Sequence, residues 1–370
     1  MKSYQEENMW THRERILALV NHEEPDRIGI GYSAAPEVHR ALKEFLGIQE
    51  DENLLKHLGV DLRYVSPKIK YKASDKCYAD PTVEVTPEGI LKDIWGVGFI
   101  EKKTEVGTYI QLSYHPLYHI EGIEDLESYP WPTADLWDYS DIPRQIESLE
   151  DYPIFIHSRG FFEISWFMRG MDNFMVDLAL NPPLACKLMD KVKNYLIAKL
   201  VRILDAGKGK IDFVELNDDV GEQNRLLISP AMWREHIKPR MKEMIDIVHS
   251  YGARVMYHSC GSVRAIISDL IEIGVEILNP IQPKAAGMDP KGLKKDFGGQ
   301  LTFYGTIDEQ ETLPYGKPED VKAEVLDRIR YVAPGGGFII SPCHSIQPDT
   351  PLENIMALYN TALEYGVYKK

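Results

Sequence analysis

Short runs dense in Val, Ile, Leu and Phe recur along this chain. Each gives way to a longer stretch in which apolar residues return every three or four positions. The short runs are Arg27 to Gly31, Leu62 to Ser66, Ile154 to Ser158, Asp212 to Leu216, Arg254 to His258, Glu276 to Asn279, Leu301 to Tyr304 and Phe338 to Ser341, which makes eight candidate strands. The helical stretches have legible ends. Thr11 and Glu14 form a capping box for a helix through Val20, and Asn181 and Pro182 open another that stops near Gly207. Ser229 and Pro230 open one that stops at Gly252, and Asp289-Pro290, Lys317-Pro318 and Thr350-Pro351 open three more. Within Trp233 to Val248 the positions Trp233, Ile237, Met241, Met244, Ile245 and Val248 form one stripe, as in a helix with one face on a sheet.

Strands alternating with helices pair in parallel, because each return to the same end of a sheet needs a crossover, and closure into a barrel leaves no edge. The pattern therefore predicts a (β/α)8 TIM barrel, with an open doubly wound sheet as the second choice. Residues 67–152 break the alternation with short β-like pieces at Thr82 to Val85, Ile90 to Trp95 and Thr108 to Leu112. This stretch reads as a β-rich insertion after strand two, within a single domain spanning 1–370.

Composition changes this picture little: 44% hydrophobic and 27% charged residues are ordinary for a globular chain. A formal charge of −15 argues against nucleic acid or an anionic membrane surface as partner, since either needs a basic face. The first residues carry Glu6 and Glu7 with no apolar core of a signal peptide, and no apolar run has membrane-spanning length. A cytoplasmic protein without leader or anchor is expected. Four cysteines in so long a chain make no disulfide framework and suit a reducing compartment. Cys186 falls in a helical stripe, and Cys77 in a Lys- and Asp-rich stretch. Neither has a ligand-type neighbour in sequence, so both read as ordinary thiols.

The chemistry concentrates where strands end. In a barrel those ends share one mouth, and there stand His157, Ser158 and Arg159, then Glu215, Asn217, Asp218 and Asp219, then His258 and Cys260, Asn279 and Gln282, Thr306 and Asp308, and Cys343 with His344. One imidazole and two thiols, from His258, Cys260 and Cys343, are three ligands of the kind zinc prefers, leaving a fourth position open. Gly261 after Cys260 predicts a turn into a helix whose first N–H groups would lower the pKa of that thiol. The competing reading is a buried imidazole beside a core thiol. Glu215 and Asp218 are the candidate catalytic carboxylates, either as a partner of His258 or on the substrate, against the alternative of strand-end salt bridges. Candidate substrate contacts are Tyr32, Arg159, Asn217, Asn279, Gln282 and Asp308. Phe161, Phe162, Trp166 and Tyr257 would suit an aromatic substrate. His344 follows Cys343 directly, so strand alternation would turn it to the opposite face.

Four segments resemble the uroporphyrinogen decarboxylase-like superfamily: Asp218 to Gln223, Ser229 to Arg240, His258-Ser259-Cys260-Gly261, and Cys343 to Asn354. The likeness runs over essentially the whole chain and is densest from Ile154 onward. Within the superfamily the chain is most similar to the zinc-dependent corrinoid methyltransferases. True decarboxylases follow the first strand with an arginine-rich Met-Arg-Gln-Ala-Gly-Arg segment that holds porphyrinogen carboxylates. Here Gly31-Tyr32-Ser33-Ala34-Ala35-Pro36 stands instead, and the Pro-Phe-Thr signature near strand three is replaced by Gly160 to Trp166.

That resemblance implies one zinc on His258, Cys260 and Cys343, and a methyl group passed between a small methyl donor or acceptor and a corrinoid. With an aryl methyl ether, zinc would polarise the oxygen while Co(I) takes the methyl; with a thiol acceptor, zinc would hold the thiolate that attacks methyl-Co(III). The Asp-x-His-x-x-Gly cobalt-ligand pattern is absent from the sequence. The corrinoid is therefore expected on a separate corrinoid-binding protein, with the aromatic-rich insertion either at the docking rim or packed on itself. A homodimer is compatible with this reading. Two alternatives remain beside it: a metal-free decarboxylase using Arg159, Arg225 and Arg254 for substrate carboxylates, and a non-catalytic zinc-binding barrel subunit.

Overall fold

A computed structural model describes residues 10–76, 80–104 and 107–369, so Cys77 and Tyr78 lie outside the described residues. Eight parallel strands form the central sheet: β1 (Gly29–Ile30), β2 (Arg63–Tyr64), β3 (Ile154–Ser158), β4 (Phe213–Asn217), β5 (Arg254–His258), β6 (Ile277–Ile281), β7 (Thr302–Ile307) and β8 (Phe338–Pro342). Neighbours run in the order β1-β8-β7-β6-β5-β4-β3-β2, each pair parallel. The two remaining edges meet through Asp61. Its backbone N–H donates to Ile30 O (2.9 Å), and its carboxylate accepts from Ile30 N–H (2.8 Å). The sheet is a (β/α)8 barrel with its seam between β1 and β2.

The inner core explains the closure. Leu62, Phe155, Phe213, Met256, Ile277, Tyr304 and Ile339, from seven of the strand segments, pack in one buried cluster with Ile16, Leu19 and Val20 of the helix His12–Val20. Phe155 and Phe213 stack inside it with ring centroids 4.5 Å apart. That first helix therefore plugs the N-terminal end of the barrel, and its Thr11 capping box is formed as the sequence predicts. The stripe Trp233, Ile237, Met241, Met244, Ile245 and Val248 is buried throughout, against the outer face of the sheet. Strand alternation fixes what comes next. Two residues further along, the inward positions are Tyr64, His157, Glu215, His258, Asn279, Thr306 and Ser341, so an apolar plug is followed by a polar layer.

Between β2 and β3 the chain builds a separate antiparallel sheet of four strands, Thr82–Val85, Leu91–Asp93, Gly98–Thr104 and Gly107–Tyr114. A two-stranded ladder joins Lys68–Ile69 to Trp137–Asp138. Trp95, Leu117, Leu126 and Trp137 of this region are buried in the main core, so its large aromatics pack inward, while Tyr71, Tyr109, Tyr114 and Tyr118 stay exposed. No helix among the described residues is long and apolar enough to cross a membrane.

The seam depends on a buried charge. Asp61 is fully buried and receives Arg15 (2.8 Å), both outer nitrogens of Arg27 (2.8 and 2.9 Å) and His12 Nδ1 (2.6 Å). Burial alone would raise its pKa, but His12, Arg27 and Arg15 outweigh it and hold the carboxyl below the usual range. Asp61→Ala leaves Arg27 without its carboxylate and Arg15 with Asp26 alone, and is expected to cost about 3–5 kcal/mol in denaturant unfolding. Because the folded pKa lies below the unfolded one, the stabilisation is complete above the ordinary carboxylate pKa of about 4 and is lost as pH falls through the folded value. Asp61→Asn should accordingly flatten the acid limb of a stability-versus-pH curve. An unchanged acid limb would refute this role.

Candidate active site

His258 ends β5, level with Asn217 of β4 and Asn279 of β6 across the ladder. Its Nε2 lies 3.7 Å from Cys260 Sγ and 3.9 Å from Asp219 Oδ1. Ligand atoms of Asp219, His258 and Cys260 all fall within 4.8 Å of one another, the one such group among the described residues. The loop that brings Cys260 back is tied down twice. Cys260 N–H donates to Asp219 Oδ1 (2.7 Å), and Gly261 N–H to Gln282 Oε1 (2.6 Å). Gly261 has φ +78 and abuts the backbone of Gly221 and Glu222, so any side chain there would be both strained and obstructed.

Behind the imidazole stands Glu215, a buried carboxylate on β4. It accepts from Tyr64 Oη (2.9 Å) and Asn279 Nδ2 (2.9 Å), with His157 Nδ1 at 3.6 Å and His258 Nδ1 at 3.7 Å. Burial pushes its pKa up, but hydrogen bonding and charge from His157, the charge of His258 and the Tyr64 hydroxyl hold it below the usual carboxylate range. The His258 imidazole is held neutral chiefly by burial, against the pull of Glu215 and Asp219. A neutral imidazole with a carboxylate behind it is the form that ligates a metal.

Cys343 closes the far side. It is buried at the end of β8 and lines, with His258, Glu215, Asn279, Tyr32, Tyr64 and Tyr304, a cavity of about 210 Å³. Its sulfur is outside the Asp219–His258–Cys260 group. Both thiols feel the Glu309 carboxyl, which is pushed up to about 8 by burial and leaves Oε1 without a hydrogen-bond partner. Cys260 corrects one expectation: its pKa is raised, first by burial and then by Asp219, Glu309 and Glu163. The residues after Gly261 form no regular helix until the short 3-10 turn Arg264–Ile266, so no helix N-terminus offsets these charges. An imidazole and thiols among Asp219, Glu215, Glu163 and Glu309 form a donor set that fits a soft dication, which would stabilise the thiolates directly.

Other predicted site residues separate into those on the cavity and those with structural work. Tyr32 and Asn279 line it. Asn217 lies at the same level with its Oδ1 buried and unpartnered. Asp218 does not reach the mouth. It is fully buried, accepting from Phe162 N–H (3.1 Å) and Glu163 N–H (2.9 Å) at the start of the helix Phe161–Arg169. Gly160 permits that approach, since a Cβ there would lie 2.2 Å from Asn217 O and 2.3 Å from Asp218 Oδ1. Asp308 likewise accepts from Gln310 and Thr312 N–H rather than facing substrate. Gln282 holds the Cys260 loop. Arg159 is engaged by Asp80 (3.3 Å) and Glu163 (2.9 Å). Arg225 is exposed beside Glu222 and Arg254 opens β5 at the opposite end of the barrel, so the three arginines offered for substrate carboxylates do not converge. Phe161, Phe162 and Tyr257 are core residues with no exposure.

Sequence reasoning placed Asp219 in the strand-end ring without choosing it as a site residue, and passed over Glu309 and Tyr64. The first and last were accessible from parity: inward residues on β4 are 213 and 215, and continuing by twos reaches 219 rather than 218. Nothing in the pattern marks Glu309, which follows the end of β7.

An eight-stranded barrel with an imidazole and thiols at its C-terminal mouth defines the class of α/β-barrel enzymes that do their chemistry on strand ends. The uroporphyrinogen decarboxylase (URO-D) family matches residues 132–365, and the chain belongs to that family. It is 28% identical over 240 residues to the methylcobamide:CoM methyltransferase MtaA of Methanosarcina barkeri, and equally so to the protein of that name from strain Fusaro. Each alignment covers 63% of this chain and 66% of the relative's length, a little under two thirds. A solved methyltransferase from Methanosarcina mazei shares the fold over 96% of this chain and 99% of its own, with a TM-score of 0.68 at 22% identity.

The placement of Asp218 gives a prediction. Asp218→Ala removes the acceptor for two helix N–H groups and should lower stability by about 2 kcal/mol while leaving bound metal unchanged. Metal lost in parallel with an unaltered unfolding midpoint would show that Asp218 serves the site instead.

Proposed function

We propose that this chain is a zinc-dependent methyltransferase that moves a methyl group between a small substrate and the cobalt of a corrinoid carried by a separate protein. The observation that carries the reading is the convergence of a neutral imidazole, a thiol and Asp219 at the barrel mouth, inside a ring of carboxylates that calls for a cation. Similarity to the methylcobamide:CoM methyltransferases supplies the reaction class. His258 and Cys260 would hold the zinc, with Cys343 as third ligand from across the cavity. Zinc held there supplies Lewis acidity toward the heteroatom that gives or receives the methyl group.

The chain's own residues have separable tasks. Glu215 fixes the orientation of the His258 ring from its Nδ1 side and is itself oriented by Tyr64 and Asn279. Tyr32, Tyr64 and Tyr304 line the space next to His258 and offer aromatic walls to a substrate. That space, about 210 Å³, is smaller than pockets for drug-sized ligands, which begin at about 300 Å³, so a corrinoid approaches from outside on its carrier. A small thiol acceptor and a small methyl ether donor both suit this volume.

Loading purified protein with zinc should give about one ion per chain, and methylcobalamin should be demethylated in the presence of a thiol, followed by its visible spectrum. His258→Ala and Cys260→Ser are expected to lose both zinc and transfer. Glu215→Gln should retain the site with a zinc affinity weaker by roughly 10–100-fold. A parallel assay with Co(I) corrinoid and aryl methyl ethers reads the opposite direction. If His258→Ala transferred methyl as fast as the native chain, or no zinc bound at any concentration, the proposal would be wrong.

A further inference from the structure

The helix Pro182–Gly207 turns an apolar stripe toward the barrel, and the half-buried Lys199 stands at its side, among Leu196, Leu200 and Ile203. Its ammonium lies 3.6 Å from the centre of the Trp137 ring. It makes no ion pair and no hydrogen bond with any carboxylate among the described residues. Burial lowers its pKa to about 8, with the charge of Asp80 opposing that fall and the charge of Arg159 adding to it. Asp80 is already engaged, accepting from Trp95 Nε1 (3.0 Å) and Arg159 (3.3 Å). The half-buried ammonium thus has the Trp137 ring as its contact and is free to receive an anion.

Lys199 lines a cavity of about 260 Å³ between this helix, the ends of β2 and β3, and the inserted region. Pro67, Pro81, Trp137 and the three aliphatic residues give it apolar walls, and Ser66, Ser158, His157 and the paired Asp80 and Arg159 add polar edges. Tyr64 lines both this cavity and the one beside His258, and its hydroxyl donates to Glu215. Tyr64 is the lining residue that the two spaces share.

We propose that this cavity binds a small organic anion with an apolar body, its carboxylate received by the Lys199 ammonium and its body held against Trp137 and Leu200. A carboxylate gains a charge-assisted hydrogen bond there without displacing any existing ion pair. The aromatic and aliphatic walls favour a flat apolar body over a hydrated inorganic ion. The cavity lies beside the space next to His258 and is distinct from it, and the proposed binding site stands on Lys199 and its surroundings alone.

Benzoate and benzamide, alike in shape and differing in charge, test the site by calorimetry on the 370-residue chain with and without zinc, in the absence of any corrinoid. Benzoate should bind, and benzamide should be weaker by about tenfold or more, the scale of one charge-assisted hydrogen bond. Lys199→Met should lose the difference between the two, Lys199→Arg should restore part of it, and His258→Ala should leave it intact. Equal binding of both compounds, absence of binding up to millimolar benzoate, or native benzoate affinity in Lys199→Met would overturn the proposal. The benzoate-to-benzamide ratio in the native chain decides the matter even if Lys199→Met fails to fold. Methyl transfer is not read in this experiment, so failure of the proposed reaction and failure of the anion site are seen separately.

Discussion

The mouth of this barrel is organised by a single buried negative charge. Glu215 on β4 gathers a hydroxyl from β2, an amide from β6 and imidazoles from β3 and β5, so four other strands are aligned on one carboxylate. A desolvated carboxylate without such partners would be strongly disfavoured, and with them it remains ionised in the core. The arrangement constrains the His258 ring, and through it the position at which Cys260 and Asp219 meet. Asp61 plays the matching part at the seam, where another buried carboxylate gathers the first helix and the first strand. Both charges lie where apolar packing alone leaves strands free to slide.

Much of the fold was legible because strand periodicity and helix caps are local signals. The run Arg254 to His258 is a strand over the residues expected, as is Ile154 to Ser158. Pro182, Pro230 and Pro290 open helices as the sequence suggests. The site was legible only in part, because it is assembled from different strands. Parity along β4 points to 219, and side-chain type alone does not distinguish the two members of the adjacent acidic pair Asp218-Asp219. Asp308 and Gln282 stand at strand ends but bind backbone N–H groups in their own neighbourhood, a role that side-chain type alone does not reveal. The direction of the Cys260 pKa was misjudged for a related reason. The carboxylates that raise it come from residues 163, 219 and 309, remote in sequence from the thiol.

The acidity of the site gives the metal reading its physical basis. Neutral thiols and a neutral imidazole surrounded by carboxylates form a donor set that would suit a dication, whose charge would offset the repulsion among the acids and favour the thiolates. The same surroundings disfavour an anionic tetrapyrrole, consistent with arginines that point elsewhere or are already paired. The family is named for a decarboxylase and the similar relatives for a methyltransferase, and the proposed reading rests on the donor set at the mouth.

Zinc K-edge X-ray absorption of the chain loaded with one equivalent of metal tests this account most directly. It predicts a four-coordinate first shell with one imidazole nitrogen at about 2.0–2.1 Å and two sulfurs at about 2.3 Å, and one sulfur fewer in Cys343→Ser. A shell of oxygen and nitrogen alone, or a spectrum that does not change when Cys260 is replaced by serine, would contradict it.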